Sequence, residues 1–132
     1  TTDSISFDDL KKWTDTNVIE WHDHVLDVRP YIRNSHIYVL PSYREGTPRT
    51  VLEAMAIGRP IITTNVAGCR HLINKNGFLV QPKSIKALKV VMERFINQHH
   101  IIPMMAEVSY KIAKTKYDVI KINKVLLNEM NL

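Results

Sequence analysis

The stretch IYVLPSYREGTPRTVLEAMAIGRPIITT, residues 37–64, decides the fold of this chain. It opens with an apolar run of strand length, residues 37–40, which ends at Pro41. A helical period follows, and its apolar face consists of Val51, Leu52, Met55 and Ala56. Gly58 is typical of the residue that stops such a helix. Residues 60–64 form a second continuous apolar run, which is typical of a strand that helices cover on both faces.

Shorter elements are expected upstream of this stretch. Ser6 followed by Asp9 predicts the start of a helix that continues through Trp13. The Ser6 side-chain oxygen would accept from the free backbone amides, and the Asp9 carboxylate would lie near the positive end of the helix dipole. Residues 18–21 are a brief β-favouring run, from which a short strand is expected. Residues 28–33 predict another short helix, because they place a proline in the first helical turn.

Downstream of the central stretch, residues 77–80 predict a third strand and the remainder is helical. Helices are predicted for residues 84–95, with Ser84 as the cap, for residues 103–114 and for residues 118–130. The sequence has no repeat, low-complexity stretch or Gly/Ser linker, so the whole chain is expected to form a single domain.

The alternation of strands and helices predicts an α/β fold, in which a parallel sheet with right-handed crossovers is flanked by helices and followed by a helical C-terminus. Such sheets bind ligands beyond the carboxyl ends of their strands. Any site should therefore lie in the loops after Trp21, Leu40 and Thr64.

Composition is that of an ordinary soluble globular protein. Of the 132 residues, 45% are hydrophobic and 23% are charged, and a chain of this length can bury a real core. It contains no apolar run of about 18 residues, the length that a membrane span needs. Cys69 is the only cysteine, so no intrachain disulfide can form and a reducing cytoplasm is the natural compartment.

The formal net charge is +5, and lysines are concentrated in the second half of the chain. Those after Gln81 are Lys83, Lys86, Lys89, Lys111, Lys114, Lys116, Lys121 and Lys124. A basic face can attract nucleic acid or an anionic membrane surface. Aromatic side chains that would stack bases do not interleave with these lysines, so a solvated helix face is preferred and no nucleic-acid partner is expected.

Two carboxylates flank the predicted helix start that follows Pro41. Glu45 lies in the strand-to-helix loop and Glu53 about one turn into the helix, so both can face one cleft. Between them lie unsatisfied helix amides, a ready phosphate site, and Gly46 lets backbone amides approach a ligand closely. Acids beside a phosphate suit a sugar nucleotide, in which one acid binds hexose hydroxyls and the other the ribose diol. Alternatively, both are helix-start acids near the positive end of the dipole.

Other reactive residue types form weaker patterns. Four residues of one short stretch suggest a metal cluster: His22, Asp23, His24 and Asp27. Their spacing matches no standard zinc arrangement, so no metal site is predicted. Ser42 and His36 lack the elbow and the oriented acid that nucleophilic catalysis requires. Arg44 and Arg70 could each contact a phosphate, a sugar or, equally, a surface acid.

Three separated segments of the chain are characteristic in this order: DVRPYI (residues 27–32), YVLPSYREGTPRTVLEAMAIGRPIITTNVAGCR (residues 38–70) and NGFLVQP (residues 76–82). Together they resemble the C-terminal domain of retaining glycosyltransferases of family four, which have the two-domain GT-B architecture. The resemblance runs from about residue 18 to the end, and it is specific because three loops agree. It implies a Rossmann-like domain that binds a nucleotide sugar.

The resemblance also implies roles for individual residues. Glu45, the first acid of the motif, would meet donor-sugar hydroxyls as the catalytic residue, and Glu53 would meet the nucleotide ribose. Backbone amides would bind the rest of the donor, those of Gly46 and Thr47 at the sugar and those of Arg49 and Thr50 at the phosphates. The chain departs from the family pattern at Asp23, where relatives carry glycine, and at His71, where they carry glutamate.

The implied reaction is retaining, metal-independent glycosyl transfer without a cofactor. The sugar would come from a nucleotide diphosphate sugar, expected to be UDP-linked, and would be transferred to a glycan or lipid-linked glycan in bacterial polysaccharide biosynthesis. The expected location is the cytoplasm, or peripherally the inner membrane face. The family's N-terminal acceptor domain has no counterpart in these residues, so a partial domain, inactive alone, is expected. The alternative is a non-catalytic nucleotide-sugar or phosphate-binding module.

The predicted helix over residues 118–130 carries an apolar stripe on a basic segment. The stripe consists of Val119, Ile122, Val125, Leu126 and Met130. Core packing is the default interpretation. In the resembled architecture the terminal helix crosses to the other domain, so part of the stripe is expected to seek a partner chain and the fragment to self-associate.

Overall fold

Three strands form one parallel sheet in the computed structural model, which describes residues 4–117. They are β1 (Tyr38–Leu40), β2 (Ile61–Thr64) and β3 (Gly77–Val80), in the spatial order β1-β2-β3. The register pairs Leu40 with Thr63, and Thr64 with Val80. Because the strands run the same way, their carboxyl ends lie along one edge, where the predicted site loops begin.

Five helices accompany the sheet in the described part of the chain. Their bounds are α1 (Phe7–Asp15), α2 (Arg29–Arg33), α3 (Arg49–Ala56), α4 (Ile85–Asn97) and α5 (Ile101–Lys116). Helix α3 connects β1 to β2, whereas a 3-10 turn, Arg70–Leu72, lies between β2 and β3. The parallel sheet with flanking helices confirms the predicted α/β class. None of the helices in residues 4–117 is long and apolar enough to span a membrane.

Predicted and observed elements agree to within two residues at each end, with one exception. The strand predicted at residues 18–21 is wrong, because this segment is coil in which Val18 and Trp21 are exposed. A β-favouring run becomes a strand only where a neighbouring strand takes up its backbone hydrogen bonds, and no strand among residues 4–117 does so here. The helix predicted over residues 118–130 lies outside the described residues.

Local sequence explains where the helices begin and end. Ser6 Oγ accepts a hydrogen bond from the amide of Asp9 (3.1 Å) at the start of α1, as predicted. Ser84 Oγ accepts one from the amide of Ala87 (3.1 Å) at the start of α4. Gly58 ends α3 with a φ of 81°, a left-handed conformation that glycine adopts without strain.

Two apolar layers cover the sheet, one on each face. Ile61 of β2 belongs to a buried cluster with Met55 of α3 and Ala113 of α5. The next residue, Ile62, belongs to a second cluster with Phe95 of α4. Successive side chains of a strand point to opposite faces, so the continuous apolar run of β2 is what a strand covered on both sides requires.

Candidate functional site

The loop after β1 is tied to the end of β2 by two threonine hydroxyls. Thr63 Oγ1 donates to the carbonyl oxygen of Leu40 (2.9 Å), and Thr64 Oγ1 donates to the carbonyl oxygen of Ser42. Both threonines are buried, so these hydrogen bonds are shielded from water. They fix the first residues of the loop against the carboxyl edge of the sheet.

Glu45 is oriented by a side chain of the same loop. Ser42 Oγ donates a hydrogen bond of 2.6 Å to Glu45 Oε1, which is a short, charge-assisted contact, and Glu45 is partly buried. A carboxylate has about four acceptor sites, so this bond leaves most of them available to a ligand. The acid predicted to bind the donor sugar is therefore held in place before any ligand arrives.

A glycine of the loop after β2 lies directly against the Glu45 segment. A Cβ at Gly68 would come within 2.0 Å of the carbonyl oxygens of both Glu45 and Gly46. Real Cβ atoms essentially never approach another heavy atom closer than 3.0 Å, so only glycine fits. The loop after β2 therefore supports the backbone that carries the predicted catalytic acid.

Gly46 differs from Gly68, because nothing in the described part of the chain requires glycine there. A Cβ added at Gly46 would meet no atom within 4 Å, and its φ is not in the left-handed region. The space beside its Cα is open. Close approach of a ligand to the backbone needs such a space.

Helix α3 begins beside this space with free amides. Those predicted to face the donor belong to Gly46, Thr47, Arg49 and Thr50, and none has a hydrogen-bond acceptor among residues 4–117. Pro48 is the N-cap and offers no side-chain oxygen to them. Free amides and the positive end of the helix dipole together make this tip attractive to an anion.

Glu53 lies one turn into α3, as predicted, with its side chain 29% exposed. Its Oε1 is 3.3 Å from Nε of Arg49, whose side chain is 92% exposed. An ion pair with so exposed a partner is weak, so the carboxylate of Glu53 remains available to a hydroxyl group of a ligand. Glu45 precedes the helix tip in the chain and Glu53 follows it.

A recess opens between the loops that follow β1 and β3. Its volume is about 780 Å3, and its lining consists of Ser42, Tyr43, Arg44, Pro82 and Lys83. Lys83 Nζ lies 5.2 Å from the centroid of the Tyr43 ring, in cation-π geometry. A neighbouring pocket of about 250 Å3 shares Tyr43 and Lys83 and extends to the start of α4. Since Ser42 also bonds Glu45, the recess adjoins the candidate donor site.

Asp27 closes the start of α2. Its carboxylate accepts hydrogen bonds from the Arg29 amide (3.0 Å) and from Nε and Nη2 of the same residue (2.8 and 2.9 Å). The side-chain bonds, followed by the backbone bond, lower the pKa of Asp27 from 3.8 to about 2. The same pairing raises the pKa of Arg29, to which Glu53 adds a smaller Coulombic contribution.

The remaining candidates have local partners. His22 Nε2 is 2.9 Å from Glu20 Oε1, and its ring packs on Tyr31 with 4.3 Å between centroids. Arg70 Nη2 donates to the carbonyl oxygen of Asn65 (3.4 Å). Within residues 4–117 no three His, Cys, Asp or Glu side chains are grouped so that they could hold a metal ion.

Sequence reasoning assigned no positioning role to several residues that build the site. They are Ser42, Thr63, Thr64 and Gly68. The only available signal was their place at or just after strand ends, inside the longest of the segments that resemble the family. A hydroxyl that bonds the neighbouring strand's loop cannot be distinguished in sequence from one that faces solvent.

Solved structures share this arrangement of a parallel sheet and flanking helices, which is that of a GT-B glycosyltransferase C-terminal domain. Anabaena Alr3699/HepE, crystallised in complex with UDP, matches with a TM-score of 0.86 and 21% identity, over 94% of this chain and 36% of that one. The C-terminal domain of a group 1 glycosyl transferase family protein (LpcC) from Francisella tularensis matches with a TM-score of 0.69 and 26% identity, over 84% of this chain and 64% of that one.

Residues 4–98 match the family described as Glycosyl transferases group 1, and the chain belongs to this family. The putative teichuronic acid biosynthesis glycosyltransferase TuaC of Bacillus subtilis is 36% identical over 100 residues. That match covers 75% of this chain and 26% of TuaC, so the chain spans about a quarter of this relative's length. The resemblance predicted from the three segments is confirmed at the level of the family.

Proposed function

We propose that this chain is the donor-binding part of a retaining glycosyltransferase. The full-length protein transfers a sugar from a nucleotide diphosphate sugar, UDP-linked, to a glycan or lipid-linked glycan in polysaccharide biosynthesis. The observation that carries this proposal is the free tip of α3, which lies between Glu45 and Glu53 in the chain and beside the open space at Gly46.

The tip of α3 binds the diphosphate of the donor. As the bond between sugar and diphosphate breaks, negative charge develops on the leaving oxygens, and amides already aimed at them stabilise this charge without reorganising. The helix dipole adds to the same effect. Backbone groups thus supply the positive potential, and the proposed mechanism includes no metal ion or other cofactor.

The two acids position the donor on either side of its diphosphate. Glu45 binds hydroxyls of the sugar through the acceptor sites that Ser42 leaves free, and Glu53 binds the ribose diol in place of Arg49. Holding the sugar in a reactive orientation before bond cleavage lowers the entropic part of the barrier. Glu45 therefore contacts the reacting sugar, and Glu53 fixes the nucleoside.

The relatives support the proposed substrates. TuaC is named for teichuronic acid biosynthesis, and the Anabaena protein that shares this fold was solved with UDP. Because the chain spans about a quarter of TuaC, we place most of the acceptor contacts in the remainder of the full-length protein. The full-length protein acts in the cytoplasm, peripherally on the inner membrane face. The chain alone is then inactive.

Self-association of the chain through residues 118–130 stays a prediction. Light scattering tests it, and a monomer at all concentrations would contradict it.

Glu45→Gln in the full-length protein tests the proposed role. The amide keeps the size of the side chain and removes its charge, so we expect the rate of sugar transfer to fall by about 10²-fold to 10³-fold, as when one oriented polar group is lost from a transition state. Glu20→Gln is the matched control, because the Glu20 side chain is 85% exposed and pairs with His22. It should retain full activity.

The assay measures transfer from a panel of UDP-sugars to glycan and lipid-linked acceptors. Equal activity of the Glu45→Gln and Glu20→Gln proteins would contradict the role of Glu45. Tight donor binding by the unaltered protein without turnover over a broad acceptor panel would instead indicate a non-catalytic nucleotide-sugar-binding module.

A further inference from the structure

We infer that the recess between the loops after β1 and β3 binds an anionic sugar of the acceptor. The sugar ring packs against Tyr43, and its carboxylate or phosphate lies between Arg44 and Lys83. This inference rests on the proposed function, because it adds an acceptor subsite to the donor site at α3.

Arg44 and Lys83 are cations without an acidic partner in the described part of the chain, since neither has a carboxylate oxygen within 4.0 Å. Lys11, Lys89 and Lys111 on helices α1, α4 and α5, in contrast, each pair with an acid one turn away. Two like charges that line one recess repel each other, and a bound anion relieves this repulsion. The recess therefore favours a negatively charged group over a neutral one.

Tyr43 supplies a surface for the uncharged part of such a ligand. Tyr43 is 51% exposed, so its ring is accessible at the wall of the recess. A cation-π contact at an exposed site is weak, so Lys83 can turn to an anion without much loss. The apolar C–H face of a sugar ring packs on an aromatic ring while its polar substituents remain free for hydrogen bonds.

The size and position of the recess fit an acceptor sugar. Its volume of about 780 Å3 lies within the range of roughly 300 to 1,000 Å3 that small-molecule sites occupy. Ser42 lines the recess and donates to Glu45, so a sugar bound there lies one side chain away from the acid that contacts the transferred sugar. An acceptor hydroxyl must reach that position for transfer to occur.

Amide chemical shifts of the 15N-labelled chain test the inference. The probes are methyl β-D-glucuronide and glucose 6-phosphate, with methyl β-D-glucoside as the neutral counterpart. We expect the two charged probes to shift the amides of Tyr43, Arg44 and Lys83, and the neutral probe at the same concentration to leave them unchanged. A response to only one charged probe identifies the anion as carboxylate or phosphate.

Lys83→Met and Lys75→Met form a matched pair of variants. Both lysines are exposed, and both have a left-handed backbone conformation, with φ of 62° at Lys83 and 65° at Lys75. They lie at opposite ends of β3. The two substitutions therefore change net charge and backbone strain equally. Lys83→Met should weaken binding of the charged probes by about tenfold, the effect of one lost charge-assisted hydrogen bond, and Lys75→Met should not.

UDP in the same experiment separates this inference from the proposed function. Shifts at residues 46–50 with UDP, combined with no response of the recess to either charged sugar, would overturn the recess alone. A recess that responds while residues 46–50 ignore UDP would contradict the donor site and leave an anionic-sugar site. Equal weakening by Lys83→Met and Lys75→Met would also overturn the inference, since binding would then follow net charge.

Discussion

Two strand-to-helix connections leave the carboxyl edge of the sheet, and their helices begin in different ways. After β1, the N-cap of α3 is Pro48, which has no side-chain oxygen for the amides behind it. After β3, the N-cap of α4 is Ser84, whose hydroxyl lies over the helix start and accepts from the Ala87 amide. The sheet thus determines where each helix begins, whereas the N-cap residue determines whether the first backbone amides of the helix are free to bind a ligand.

The charges around the two helix starts differ as well. Glu45 and Glu53 lie near the start of α3 together with Arg44 and Arg49, whereas the charged residues near the start of α4, Lys83 and Lys86, are all basic. A lone phosphate would be repelled by acids, so the acids near α3 suit a ligand that carries hydroxyl groups next to its diphosphate. The start of α2 resembles that of α4 in being closed by the chain itself, through Asp27.

The largest expected effect comes from Gly68→Ala, which disturbs the support of the loop before α3. The added Cβ would lie 2.0 Å from two carbonyl oxygens, so the loop must shift, and we expect the free energy of unfolding to fall by about 1 to 3 kcal/mol. Gly46→Ala is the matched control, because its Cβ meets nothing, and it should change stability by less than about 0.5 kcal/mol. Urea unfolding measures both, and equal losses would contradict the distinction between the two glycines.

A smaller effect is expected from Ser84→Ala, which removes the cap that distinguishes α4 from α3. Loss of an N-cap hydroxyl should lower the free energy of unfolding by about 1 kcal/mol, and Ser84→Thr should keep most of it. Urea unfolding of the three proteins checks this order. If Ser84→Ala is as stable as the unaltered chain, the hydroxyl does not close this helix start.

The smallest effect is expected at the start of α2, where the quantity to measure is the pKa of Asp27. The pKa of Asp27 is about 2 in the folded protein and 3.8 without its partner, so the Arg29 contacts stabilise the fold above pH 3.8 and are lost as pH falls through about 2. Carboxyl chemical shifts followed against pH measure this pKa directly. Arg29→Met should return it toward 3.8, and an ordinary value in the unaltered protein would contradict the closed helix start.

Most of the fold could be predicted because its signals are local. The strand that ends at Pro41, the helix that ends at Gly58 and the cap at Ser84 each follow from a few neighbouring residues. Residues 18–21 failed because a strand also depends on a neighbour, which local sequence does not report. The 3-10 turn Arg70–Leu72 was missed because it is too short to have a period.

The site could be predicted less completely than the fold. Glu45, Glu53 and the free amides between them follow from a helix start flanked by acids, so the sequence indicated the groups that are proposed to face the donor. Their supports depend on contacts between distant loops, such as Gly68 against Glu45 and Thr64 against Ser42. Such contacts arise from tertiary packing and leave no periodic pattern in the sequence.

Titration of the 15N-labelled chain with UDP, and with uridine as the ligand that lacks the diphosphate, tests most directly whether the start of α3 binds pyrophosphate. We expect UDP to shift the amides of Gly46, Thr47, Arg49 and Thr50, uridine to leave them nearly unchanged, and residues 85–88 at the start of α4 to respond to neither. Equal shifts at both helix starts, or equal shifts with UDP and uridine, would contradict the account.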